Sequence, residues 1–554
     1  MLRKPLSRVM PSPASYEAKR PFIAALFIIL MLMTTGCSFA DSLLSLVKGD
    51  GSGQLFKLSI PSDPVTLDPI LAEDESSIAV LRNMFEGLLK TAPSGEIVCG
   101  SAESYTVSED GLVYTFYLRR DMEWRAAGGF SEKVTAYDFE FGFSRLLDPE
   151  LGSSYAKDYS CIKNSLGEGE PCVTALDEYT LEITLSYPNA LFPSLLTRLP
   201  ASPCCKEFFE SCNGKYGLEA KSIASNGPFY VRLWQHDRYG SDNYVRLTRN
   251  DAYSAASRVY PSGISFLVEK SERSRLESFN SGSTQVYFPS GEGGIFGIPD
   301  DSQVYRVYDS SAGLVVSPKN EILSREDVKE ALFGCIERES LSEGLPQGTK
   351  AAYGIFPPDA YFDSRELRSI LPEPEISSDP RLSGYKWSFI LTESEKREIA
   401  GCNVLVADSF DYIEVLELVI EQWEACLGFT PSIEIVNETD YQRRLEEGSY
   451  DICLYEIEKS LELAGYLAPF SSDGELASLP HSAEAGSVYS SRYSYPSLEE
   501  LLLDCRSAES ALVSSGSYCP LLYLSTAYAV SDGVCDLWYD TASASLVFSD
   551  AKLF

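Results

Sequence analysis

Histidine is scarce in this chain: among 554 residues there are two, His236 and His481. Imidazole is the usual general base near neutral pH and the commonest metal ligand. Two histidines far apart in sequence supply neither a zinc motif nor a catalytic triad. Carboxylates are abundant, with 81 Asp and Glu, but no motif sets two of them apart as acid and base. Cysteine is the other reactive type. The local clusters, Cys161/Cys172 and Cys204/Cys205/Cys212, lack the paired C-x-x-C spacing of a zinc site. Cys335, Cys402, Cys426, Cys453 and Cys535 sit in apolar surroundings and read as buried small hydrophobes. Gly291-Glu-Gly-Gly294 has no Lys-Ser/Thr after it, so it is not a phosphate loop. These features count against an enzyme, and they imply no cofactor and no metal.

One cysteine stands in a chemical context of its own. A basic stretch over residues 1–20 precedes the apolar run from Pro21 to Met33, which ends in Thr34-Thr35-Gly36-Cys37. A basic region, a short apolar region and a small-residue cleavage site describe an export signal. The apolar run is shorter than the roughly 20 residues of a membrane-spanning helix. Thr-Thr-Gly-Cys resembles a bacterial lipobox, with Thr34 where that motif usually has Leu. The resemblance implies that Cys37 is acylated and becomes the N-terminus, with 1–36 removed and 37–53 serving as a Ser- and Gly-rich tether. Of 14 cysteines, 13 would then remain, an odd number that cannot all pair within the chain. Export permits disulfides, whereas an anaerobic host would keep thiols reduced.

The formal net charge is −35, and losing the basic leader makes the remainder more acidic still. Such a field repels phosphate backbones and excludes nucleic acid as a partner. Apolar residues make up 44% of the chain, enough for a sizeable core. Tyr and Phe number 33 and 27; most serve packing, and Tyr also suits a wall that grips a ligand.

The elements that must position any site alternate between strand and helix. Strands are expected at Leu55–Ile60, Leu112–Leu118, Thr180–Leu185, Tyr244–Thr248, Asn403–Val406 and Ser432–Val436. Helices are expected at Ser76–Lys90, Arg325–Arg338, Tyr412–Leu427 and Leu498–Leu512. Another follows Thr135, with Asp138 at its third position and Phe139, Phe143, Leu146 and Leu147 on one face. Gly291–Asp301, Leu371–Gly384 and Gly474–Pro496 read as loops. The pattern is α/β with mixed sheets.

Several segments, taken in order, resemble the oligopeptide- and dipeptide-binding family of extracellular solute-binding proteins. They are Asp63-Pro-Val-Thr-Leu-Asp-Pro69, Asn83-Met-Phe-Glu-Gly-Leu88, Ser108 to Arg119, Val134-Thr-Ala-Tyr-Asp-Phe139, Arg145-Leu-Leu-Asp-Pro149, Asn226-Gly-Pro-Phe-Tyr230, Arg249-Asn-Asp-Ala-Tyr253 and Cys519-Pro-Leu-Leu-Tyr523. The resemblance implies a two-lobed, periplasmic-binding-protein-like fold with a hinge and an inserted third subdomain. The first lobe would take 54–87, 189–310 and 481–554, the inserted subdomain 88–188, and the second lobe 311–480. Ligand would lie between lobes that close on it. The protein would capture oligopeptides or a related small solute and deliver them to an ABC permease/ATPase complex, held to the outer membrane face by its lipid or lying in the periplasm. A non-peptide ligand, or a signalling or adhesion role on the same fold, stays open.

The same resemblance points to candidate ligand contacts. Tyr450-Asp451 matches the family's second-lobe motif, but its amine-pairing aspartate falls on Ser460. Glu456 or Glu458, beside Tyr455, would replace it. On the first lobe, Glu73, Asp74 and Glu75 lie in a segment that forms a cleft lip in the family. They are either acceptors for a cationic ligand or an acidic cluster favoured by a helix dipole.

Overall fold

A computed structural model describes residues 53–554 apart from 166–168, 170, 238–241, 290–291, 346–347, 361–366, 377 and 542. The export signal, Cys37 and nearly all of the tether lie outside the described residues. Among the described residues, no helix is long and apolar enough to cross a membrane.

The chain enters through β1 (Leu55–Ile60), whose alternate residues Phe56, Leu58 and Ile60 are buried. Helix α1 (Glu75–Leu81) follows, capped by Asp74, whose carboxylate accepts the Ser77 N–H at 2.9 Å. Apolar spacing predicts a helix running to Lys90, but α1 ends nine residues earlier. Long-range hydrogen bonds win over the local pattern. The Asn83 side chain donates to Leu546 O at 3.1 Å and accepts from the Phe548 N–H at 3.0 Å. Three residues on, the Glu86 N–H donates to Asn226 Oδ1 at 3.1 Å, and Asn226 Nδ2 donates back to Glu86 O at 2.7 Å. Gly227 completes this clamp by donating its N–H to Met84 O at 2.8 Å. A Cβ on Gly227 would stand 2.5 Å from that same carbonyl oxygen, on backbone that cannot swing aside. Gly227→Ala is therefore expected to cost about 1–3 kcal/mol, read as a lower urea midpoint at unchanged m-value.

Four antiparallel strands come next: β2 (Ala102–Val107), β3 (Val113–Leu118), and, beyond α2 (Ala136–Leu146), β4 (Val173–Asp177) and β5 (Thr180–Thr184), in the order β2-β3-β5-β4. Thr135 and Asp138 form the expected capping box on α2. The Asp138 carboxylate also accepts from Trp124 Nε1 at 3.1 Å. This unit is tied to the start of the chain by Arg145 and Asp68, 2.6 Å apart and nearly buried.

Short strands elsewhere form small two- and three-stranded sheets, and the strands that follow build one large sheet. They are β6 (Phe229–Gln235), β7 (Tyr244–Arg249), β8 (Gly263–Val268), β9 (Val286–Tyr287) and β10 (Gln303–Val316). After helix α3 (Glu326–Phe333) come β11 (Asn403–Ala407), α4 (Glu414–Leu427), β12 (Ser432–Val436), β13 (Ile452–Ile457), α5 (Ser482–Ser490), α6 (Leu498–Ser514) and β14 (Cys519–Val530). Their order is β6-β7-β8-β1-β9-β14-β10-β13-β11-β12, with Thr349–Ala351 paired to β14 off this path. Strands β10 and β14 are the long ones, 14 and 12 residues. They run antiparallel from Gln303 opposite Val530 to Leu314 opposite Cys519. One end of the pair lies beside β9, and the other beside β13, where Ser311–Val316 pair with Ile457–Ile452. Register shifts between Tyr308 and Ser310, and between Ala312 and Gly313, mark the crossing.

Around β13 the two-residue period is clear. Ile452 and Leu454 face the core beneath α3 and α4, while Cys453, Tyr455 and Ile457 face the opposite core. Two expectations about helices change here. The helix expected at Arg325–Arg338 stops at Phe333 and a new one starts at Arg338. The Gly334 carbonyl is taken by the Asp379 N–H at 3.0 Å, and the Arg338 guanidinium turns to Pro520 O at 2.7 Å. The loops expected at Leu371–Gly384 and Gly474–Pro496 hold the helix Pro380–Ile390, capped by Asp379, and α5. Helix α5 shows little apolar periodicity because it packs through small residues: a Cβ on Gly486 would stand 2.6 Å from Ser471 Cα. Helix α6 lies against α5, and its buried Glu509 accepts the Ile355 N–H at 2.7 Å and pairs with Arg368 at 3.0 Å.

Candidate functional site

Where β10 and β14 cross, the chain leaves a trough. Its largest part, about 600 Å³, is lined by β13 and the segment after it, including Tyr455, Glu456, Glu458, Lys459 and Ser460. A second part of about 360 Å³ includes Glu75, Arg275, Lys459 and Thr526. A third of about 230 Å³ includes Ser310, Asp411, Glu456 and Thr526. Lys459 is common to the first two, Glu456 to the first and third, and Thr526 to the last two. The three thus adjoin, the second and third along the middle of β14, with walls from both ends of the great sheet.

Each predicted residue has a definite place. Tyr455 is buried and donates its hydroxyl to Glu475 Oε2 at 3.2 Å. Glu456 opens on the cavity yet is hemmed in by protein. Burial pushes its carboxyl up to about 7, with Glu458, Asp411 and Asp309 adding like charge and a hydrogen bond from Ser310 opposing. Glu458 lines the same cavity, exposed. Ser460 shapes the wall: its hydroxyl donates to Glu462 O at 2.9 Å and accepts the Glu462 N–H at 3.3 Å. Of the acidic trio, Glu75 lines the trough. Asp74 is occupied in capping α1. Glu73 is exposed and acts electrostatically on Tyr155, in the segment that carries the four-stranded sheet.

The trough also holds residues that local sequence does not announce. At one end, Glu462 receives Arg492 Nε at 2.5 Å, Arg198 Nη2 at 3.3 Å and the Tyr493 hydroxyl at 3.0 Å. Asp158 stands 3.5 Å from both arginines. Two cations and two anions here compensate each other. Along the rest of the wall, among the described residues, no Lys or Arg forms an ion pair with Glu438, Glu456, Glu458 or Glu475, so acid outnumbers base there. Lys459 projects among them, and it is the residue that a reading of Glu458 and Ser460 passes over. The arrangement can hydrogen-bond an extended polar chain and stabilise positive charge; it does not assemble a nucleophile with a base.

Comparisons with known proteins agree with this geometry. The family model described as "Bacterial extracellular solute-binding proteins, family 5 Middle" matches residues 96–475. The oligopeptide-binding protein OppA of Bacillus subtilis is 25% identical over 471 residues, which are 78% of this chain and 81% of that one. Among solved structures, the unliganded open form of the periplasmic murein tripeptide-binding protein MppA superposes with a TM-score of 0.68 at 20% identity, over 91% of this chain and 98% of that one. Listeria monocytogenes OppA bound to peptide superposes with a TM-score of 0.60 at 21% identity, over 91% and 99%. These two likenesses show the fold.

Proposed function

The chain belongs to the bacterial extracellular solute-binding proteins of family 5, and on that premise we propose that it captures peptides in the trough between two hinged lobes and delivers them to an ABC importer. The family and its solved neighbours are substrate-binding proteins. The observation that carries the reading is the trough itself, which straddles the two long strands joining the sheet's ends. Bending at the register shifts near Ser310 would bring the walls together on a ligand.

In this reading the first lobe is built from 54–87, 189–310 and the end of the chain, where Leu546 and Phe548 hydrogen-bond Asn83, with 88–188 as the inserted subdomain. The second starts at 311 and takes α5 and α6 as well, which the family resemblance alone would give to the first, because they pack on the 463–470 turn and on Arg368. Tyr455, Glu456, Glu458 and Ser460 face ligand from the second lobe and Glu75 from the first. Acylated Cys37 would hold the receptor beside its permease and ATPase.

The excess of carboxylates along this wall favours peptides carrying positive charge. Purified protein is expected to gain thermal stability with a lysine-rich tetrapeptide, by about 2.7 kcal/mol at a hundredfold excess over Kd, and to respond less to an N-acetylated glutamate-rich one. No shift with any peptide, alongside a shift with a nickel chelate, a sugar or an opine, overturns the peptide reading and leaves a receptor.

A further inference from the structure

In the second half of the chain, away from the trough, two thiols meet. Cys335 lies two residues beyond α3, and Cys426 lies on the last turn of α4. Their sulfurs are 2.8 Å apart, 91 residues distant in sequence. Non-bonded heavy atoms rest at about 3.5–4.0 Å, so the pair is inside contact distance, within about 0.8 Å of the ~2.0 Å of a disulfide bond. Other thiols are directed elsewhere: Cys204 towards the Arg145 guanidinium at 3.5 Å, Cys402 towards Asn320 Nδ2 at 3.6 Å, and Cys519 towards Arg338 Nη2 at 3.2 Å. Cys335 is buried and Cys426 half-buried, its sulfur also donating to Pro380 O at 2.8 Å.

We propose that Cys335 and Cys426 form a structural disulfide in the exported protein, made by exchange with a dithiol–disulfide oxidant. The Cys426 thiolate attacks one sulfur of the oxidant's disulfide, forming a mixed disulfide and releasing the oxidant's other sulfur as a thiolate. The Cys335 thiolate then attacks Cys426 Sγ, closing the Cys335–Cys426 bond and expelling the second sulfur. Two electrons and two protons leave the protein, and the oxidant ends as a dithiol. The bond ties the end of α3 to the end of α4 beneath β11 and β13. It closes a loop of about ninety residues, a length at which cross-linking restricts the unfolded chain strongly.

Oxidised glutathione serves as the probe oxidant on purified full-length protein. After alkylation of remaining thiols under denaturing conditions and digestion, mass spectrometry is expected to find the Cys335–Cys426 cross-linked peptide. Reduction should abolish that peptide and lower Tm by about 5 °C. Cys426→Ser should lose both the cross-link and the sensitivity of Tm to reductant. Recovery of both cysteines fully alkylated or glutathionylated after oxidation, or of either joined to a third cysteine, overturns the proposal; the mass measurement on the unsubstituted protein needs no variant to fold.

Discussion

Glu86→Ala is expected to destabilise the protein by about 3–5 kcal/mol, the range for breaking a buried ionic cluster by removing one partner. Glu86 is 4% exposed, with Lys90 Nζ at 2.7 Å and Arg119 and the Tyr253 hydroxyl on the same carboxylate. Alanine leaves these groups facing a void. Burial on its own would raise this carboxyl's pKa, but Lys90, Arg119 and the hydrogen bonds outweigh it and hold the value below the ordinary one. The sign for stability follows. A lowered folded-state pKa contributes stability that is present above the unfolded value and lost as pH falls through the folded one. Urea titrations at pH 7 and in mild acid should therefore show the gap between the natural protein and Glu86→Ala narrowing only below the usual glutamate range. A gap below 1 kcal/mol at pH 7 would mean that the cluster is relaxed in solution.

Glu456→Gln should move stability and binding in opposite directions. The carboxyl at Glu456 is raised to about 7 by burial and by its acidic neighbours, against roughly 4.3 in an unfolded chain. Between those values the folded state holds more protons than the unfolded one, so the group costs stability as pH rises through the window. The glutamine variant should melt higher at pH 8 and match the natural protein at pH 4. A cationic peptide favours the ionised carboxylate, so its affinity for the natural protein should climb as pH rises through 7. The variant should lose that climb and bind about tenfold more weakly at pH 8. Calorimetry against a lysine-rich peptide reads both curves. A melting difference without any change in affinity would remove Glu456 from the ligand contacts.

Much of the fold is legible where burial is decided locally. Strands β5, β7, β11 and β12 and helices α2 and α6 lie within a residue or two of where alternation, caps and helical spacing put them. Errors arise where distant chain decides. Helix α1 stops short because Asn83 is claimed by the backbone at Leu546 and Phe548, which no window around residue 83 reveals. Helix α5 is hidden because its buried face is mostly serine, alanine and glycine, with Val488, and serves close approach more than apolar area. The family-like motifs are mostly structural here. Asp68 pairs with Arg145, and Asn226-Gly-Pro grips Glu86. In the trough, the sequence offers the residues that lie consecutively on and after β13. It does not offer the cluster of Asp158, Arg198, Glu462 and Arg492, because four separate segments meet there and none carries a local sign of it.

The position of β14 has a consequence for how this molecule comes into being. It is among the last strands in the chain, yet it lies inside the sheet, with β9 on one side and β10 on the other. A chain secreted from its N-terminus exposes both neighbours as open strand edges until its final stretch has crossed the membrane. Open edges invite pairing with other chains. Completion of the sheet thus waits on the final stretch of the chain, and the two ends of the sheet become one object only when β14 arrives between them.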